Sequence, residues 1–137
     1  MPDASRVALI AGMAAVLTAC TSMHAPRCSG GEQLAIHDSL YFGTGKPGGV
    51  VTQQEWAAFL EGIVTPRFPR GLTVSAALGQ WRGADGSIVR EASHLLQLIH
   101  PDDGPSESAV LELVAAYKTR FQQEAVLRVK APACVSF

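Results

Sequence analysis

Six side chains of the 137-residue chain have the types from which a small polar or aromatic site can be built: Tyr41, Trp81, Glu91, Ser93, Gln97 and Arg128. Aromatic rings supply flat apolar walls, and a carboxylate beside a guanidinium supplies charges that orient a ligand. Glu91 can also serve as a general acid or base if it is partly withdrawn from water. No clear partner comes with it. His94 is near in sequence, but strand alternation sets it on the opposite side.

The three cysteines offer different chemistry. Val7 to Leu17 is an uninterrupted run of Val, Ala, Leu, Ile, Gly and Met that follows Arg6 and ends close to Cys20. Eleven such residues are too few for a membrane span, which needs about 20, but they suit the apolar core of an export signal. Leu17-Thr18-Ala19-Cys20 looks like a bacterial lipobox, in which small residues enter a peptidase groove and the cysteine thiol takes lipid. Residues 1–19 are therefore expected to be a lipoprotein signal peptide and Cys20 the lipid anchor, tethering the protein to a membrane from the periplasmic side. Thr21 in place of an inner-membrane retention Asp points by resemblance to the outer membrane. Export would carry Cys28 and Cys134 into an oxidising compartment, where a disulfide between them is expected. It would close a loop of over 100 residues, worth about 4.7 kcal/mol in the chain-entropy model.

Other patterns exclude more than they offer. Gly43-Thr44-Gly45-Lys46-Pro47-Gly48 fits G-x-G-x-x-G, but a dinucleotide site needs a helix to start at the glycines. Here the helix start comes later, at Thr52, and Pro47 lacks an N–H donor. Pro47 also stands where a phosphate-binding Lys-Ser/Thr pair would need a hydroxyl. The four histidines show no metal-ligand spacing, and no G-x-S-x-G elbow is present. No cofactor and no metal are expected. With a net charge of −1 and no basic stripe, nucleic-acid binding lacks electrostatic support.

Periodicity outlines the strands and helices that carry the six residues. Residues 20–33 are short, polar and rich in Ser, Gly and Pro, a tether ahead of a domain at 34–137. "HDSLYFGTG" reads as a first strand and "GKPGGVV" as a loop. Thr52 and Glu55 form a capping box, and Trp56, Phe59, Leu60, Ile63 and Val64 make one apolar helix face that Pro66 and Pro69 end. "LTVSAALGQW" and "IVREASHLLQLIH" read as a hairpin with its tip at Asp85-Gly86. Ser106 is positioned to cap a second helix carrying Val110, Leu113, Val114, Tyr117 and Phe121, and "EAVLRVK" is a last strand before the tail "APACVSF". Arg67 and Arg70 are set to hold helix-terminal carbonyls or to contact anions.

The order β-α-β-β-α-β predicts an α+β ferredoxin-like two-layer sandwich, with two helices on one face of a four-stranded antiparallel sheet. Alternation sets Leu72, Val74, Ala76 and Leu78 toward the helices and the six site residues on the uncovered face. Three uses of that face stand open: a solvated surface with an ordinary Glu91–Arg128 ion pair, a homodimer contact, or a ligand site.

From Leu40 onward the sequence resembles an uncharacterised family of bacterial secreted proteins and lipoproteins known only as a domain of unknown function. The stretches that carry the resemblance are "LYFG", Trp56 with Phe59, "TPRFPRGLTV", "GQW", Arg90-Glu91 with Ser93, "Y...F.QE.VLRV" and the closing "CVSF". It implies a secreted or lipid-anchored domain and attaches no chemistry. The leading expectation is a non-catalytic periplasmic domain that binds a small ligand or a protein partner through its open sheet face. The competing one is a small enzyme of the dimeric α/β-barrel type, with Glu91 as acid or base between stacked sheets.

Overall fold

A computed structural model of the chain describes residues 27–137. The export segment, Cys20 and most of the tether lie outside the described residues.

The strands are β1 (Gln33–Gly43), a two-residue pair β2 (Gly45–Lys46) and β3 (Gly49–Val50), then β4 (Thr73–Arg82), β5 (Ile88–His100) and β6 (Leu127–Val135). The helices are α1 (Gln53–Phe59), α2 (Thr65–Arg67) and α3 (Gly104–Phe121). β4, β5, β1 and β6 form one antiparallel sheet in that order, with the helices on one face. This is the α+β ferredoxin-like sandwich that the element order implied. No helix among the described residues is long and apolar enough to cross a membrane.

Alternation builds the core. On β1 and β5, Leu40 lies opposite Leu96, and Asp38 opposite Leu98. The three leucines are buried against Phe59, Val110, Leu113, Tyr117 and Phe121. Aromatic edges interlock there, with Tyr117 at 4.6 Å from Phe42 and 5.2 Å from Phe59 between ring centroids. Burying one such side chain is worth about 1.5–3 kcal/mol, so this seam dominates cohesion.

Helix starts and stops follow local chemistry. The Thr52–Glu55 capping box is formed reciprocally. Pro66 does not end the first helix as expected. The chain passes it through a π-helical turn (Leu60–Val64), in which the Thr65 N–H reaches back to the Leu60 carbonyl. Pro66 has no N–H, and in an ideal α-helix its ring would meet the Gly62 carbonyl. The helix stops after Arg67, before Phe68-Pro69, where pre-proline sterics disfavour αR. Arg67 donates to the Ile63 carbonyl at 2.9 Å, one of the two roles set for it. The cap of α3 is Asp103, whose side chain accepts from the Ser106 N–H, so Ser106 lies inside the helix.

Strand limits are wider than the sequence suggested. β1 begins at Gln33 and not His37, and β6 runs through Pro132 to Val135, absorbing most of the tail. Pro132 is tolerated because β6 is an edge strand. The "GKPGGVV" loop holds the small β2–β3 hairpin, whose turn needs Gly48 at φ +80 after Pro47. Cys28 and Cys134 lie at disulfide distance, with sulfurs 2.16 Å and Cα atoms 5.4 Å apart.

Candidate functional site

Register decides which of the six sequence-picked residues share a surface. Tyr41 pairs with Leu95, which pairs with Ser75; Gln97 pairs with Ser39 and Thr73; Ser93 with Gly43 and Ala77; Glu91 with Gly79; Trp81 with Val89. Tyr41, Trp81, Glu91, Ser93 and Gln97 therefore lie on the uncovered face, as alternation required. They do not form one cluster. Trp81 sits six residues along β4 from the level of Tyr41, about 20 Å away at strand rise. Gln97 instead meets His37 across the β1–β5 pair, at 3.3 Å between side-chain nitrogens.

Arg128 is a correction. It pairs with Leu40, so it points into the helix layer and away from Tyr41 and Glu91. There its guanidinium donates two 2.7 Å hydrogen bonds to Asp38 and two more to Glu107, at 2.6 and 2.9 Å. Asp38 is fully buried and also accepts from His100 Nε2 at 2.8 Å. Burial alone would raise the Asp38 carboxyl, but the bonds and charges of Arg128 and His100 outweigh it and hold it below the usual carboxylate range. Hydrogen bonds from Arg128 and Lys130 bring Glu107 down to about 2. This network is structural. It sews β6 to α3 and leaves no Glu91–Arg128 pair. The sequence signal for it was Asp38, a charge at a core-facing position of an apolar strand.

Glu91 has a different setting. β1 ends at Gly43, so beyond that point β5 is flanked only by β4 and by the loop at Thr44. Thr44 is buried, and its N–H and hydroxyl both donate to the Ala92 carbonyl, at 3.1 and 2.7 Å. The Glu91 side chain crosses this gap and accepts the Gly45 N–H at 3.0 Å. Gly43 makes room for it: a Cβ there would lie 2.7 Å from a Glu91 carboxylate oxygen. The Gly43 carbonyl accepts from Tyr117 Oη at 2.8 Å. Burial, with the charges of Glu91 and Glu55, pushes that phenol well above its ordinary value.

An open groove of about 840 Å³ runs along this exposed stretch of β5, between β4 and the segment from Thr44 to Gln53. Thr44, Val51, Leu78, Arg90, Glu91 and His94 line it. Alternation put Glu91 and His94 on opposite sides of β5; the early end of β1 lets one groove reach both. His94 was expected in the core or at its rim, and it is 5% exposed. Its ring stacks on Trp56 at 4.4 Å and 3°. Burial holds it below its ordinary value, favouring neutral imidazole. Its Nε2 is buried without a hydrogen-bond partner among the described residues. Below the groove, Lys46 pairs with Glu55 at 2.5 Å, and hydrogen bonds from Lys46 and Thr52 bring that carboxyl down to about 2. Among the described residues no group of His, Cys, Asp and Glu could hold a metal ion.

Fold and groove together define a ferredoxin-like sandwich with a mostly apolar recess that carries a few fixed polar groups. Residues 37–137 match the family model described as protein of unknown function DUF3574, and the chain belongs to that family. No curated protein matches it. Among solved structures it is similar to a phage SAM lyase in complex with S-methyl-5'-thioadenosine, with TM-score 0.55 and 15% identity over 82% of this chain and 95% of that one. It is also similar to CutA from Synechococcus elongatus, with TM-score 0.52 and 12% identity over 77% of this chain and 83% of that one. At these identities the likeness concerns the fold.

Proposed function

We propose that this protein is a lipid-anchored domain of the bacterial envelope that binds a small molecule in the groove beside Glu91. Residues 1–19 direct export, Cys20 carries the lipid, and Thr21 favours the outer membrane. The spacing of Cys28 and Cys134 supports an oxidising location, since paired cysteines at bonding distance persist outside the cytoplasm. One observation carries the binding reading: a carboxylate held in place by a backbone N–H lines the same apolar recess as a largely buried histidine whose Nε2 has no partner among the described residues. Buried polar atoms normally find partners, and recesses of a few hundred cubic ångström with few polar groups are the usual form of small-ligand sites.

The enzymatic alternative, Glu91 as acid or base, draws on the shared access of Glu91 and His94 to that groove. Thermal-shift screening of the chain against a small-molecule panel tests both readings. The panel includes S-methyl-5'-thioadenosine, the molecule held by the structurally similar lyase. Ligands of the groove raise the midpoint in wild type and lose that effect in Glu91→Ala, while Tyr41→Ala and Trp81→Ala keep it. Hits indifferent to Glu91 would overturn the groove assignment, and turnover of a hit that vanishes in Glu91→Gln would favour the enzyme. Globomycin or Cys20→Ala should stop processing; unchanged processing would remove the anchor.

A further inference from the structure

A sheet of four strands has two edges, and edges are liabilities because their free N–H and C=O groups template pairing with other chains. β6 is protected by Arg128, Lys130 and Pro132 along its length and by Cys134 near its end. β4 has none of these devices before its last residue, Arg82. From Thr73 to Trp81 it contains no charged residue and no proline. Among the described residues nothing pairs with its outer side. Its far half extends past the end of β1 as a two-stranded ribbon with β5, where Leu78 is 91% and Trp81 51% exposed. A leucine that bare on a long, uncharged edge is poorly explained by a strand that faces water.

We infer that β4 is a self-association edge, pairing antiparallel with β4 of a second copy of this chain. Identical strands related by a two-fold axis satisfy each other's hydrogen bonds with a single closed interface. Along the stretch that pairs, an identical copy meets no like charge, because Thr73–Gly79 is uncharged. A two-fold axis at Ala76 sets Leu78 across from Val74 of the partner subunit, on the helix-facing side where Val74 is itself only half-buried. Ser75 then meets Ala77 of the partner subunit on the other side, and small residues there let the two sheets run on as one. The pairing extends the floor of the groove, because Ala76, Ala77 and Leu78 line it. It does not depend on what the groove binds.

Native mass spectrometry of the detergent-solubilised chain, with hydrogen–deuterium exchange of β4 amides, tests this. The expected result is a reversible dimer whose fraction rises with concentration, and β4 amides that become protected as it does. Leu78→Lys, and separately Ser75→Lys, should lower the dimer fraction at least tenfold with the melting midpoint of the monomer unchanged. Leu127→Lys, a change at another exposed leucine, on β6, should leave the dimer intact. A chain monomeric at all concentrations would overturn the inference. So would a dimer that survives both β4 variants, or one that Leu127→Lys abolishes, which would indicate face-to-face stacking of the open sheets.

Discussion

β4 and β6 close the same sheet from opposite sides, yet they are built on opposite plans. β6 is fastened on its helix side by Arg128 and Lys130 to Asp38 and Glu107, and near its end by Cys134 to Cys28. β4 holds the domain through its hydrogen bonds to β5 and through Val74 at its inner end, with Leu72 just before it. Stability and free surface are thus placed at opposite edges. Charge and covalent constraint collect at the edge where α3 and the chain terminus meet. The other edge stays small, apolar and uncommitted.

That contrast can be broken from the β6 side first. Replacing Cys134 by Ser should cost up to roughly 4 kcal/mol, the scale for a long closed loop, read as a fall in denaturation midpoint that reducing agent reproduces in wild type. Two free thiols by mass spectrometry of the exported chain would remove this prediction. Arg128→Ala should cost roughly 3 kcal/mol, because it strands the buried Asp38 with His100 as its remaining partner. The double change with Asp38→Ala should recover part of that loss, and a double variant no better than Arg128→Ala would show that packing matters more than charge.

Acid should act on the β6 network and on the groove. Glu107 titrates at about 2 in the fold against an ordinary 4.5, and Asp38 is also lowered. The unfolded chain then binds more protons, so their contribution is full above pH 4.5 and drains away as pH falls toward 2. His94, held below its ordinary 6.5 by burial, begins the loss earlier, since the unfolded histidine protonates first. Midpoints measured from pH 7 to 2 should fall in two stages, with His94→Gln flattening the upper one. A flat profile between pH 4.5 and 2 would contradict the Glu107 setting.

On the β4 side the effects on stability should be small. Gly43→Ala pushes on the far end of a flexible side chain, so it should cost about 1 kcal/mol or less while displacing Glu91 from the Gly45 N–H. Ligand shifts should fall as far in this variant as in Glu91→Ala. Leu78→Lys should change monomer stability by no more than about 0.5 kcal/mol, as befits an exposed position. A loss above 2 kcal/mol would mean that Leu78 packs somewhere in the monomer.

Much of this was legible without coordinates, because it rests on interactions between residues close in sequence. Thr52 and Glu55 announced their helix through a contact three residues long, and Val110 to Phe121 repeated at helical spacing. Alternation along β4 and β5 gave both faces correctly, since a strand repeats every two residues whatever its partners. The face of Arg128 was misread because it depends on how β6 registers against β1, across 88 residues of chain, and a shift of one residue reverses the answer. The Asp38–Arg128–Glu107 network was missed for the same reason.

The element order, the apolar faces, the hairpin tip and the candidate cysteine pair all follow from local periodicity and residue chemistry. Which strand ends early depends on long-range packing. Because β1 stops at Gly43, β4 and β5 run on past it as a two-stranded ribbon, and Glu91 and His94 line one groove although alternation separates them. Strand lengths relative to their neighbours are set by packing across the whole sheet, and no short window of residues records them.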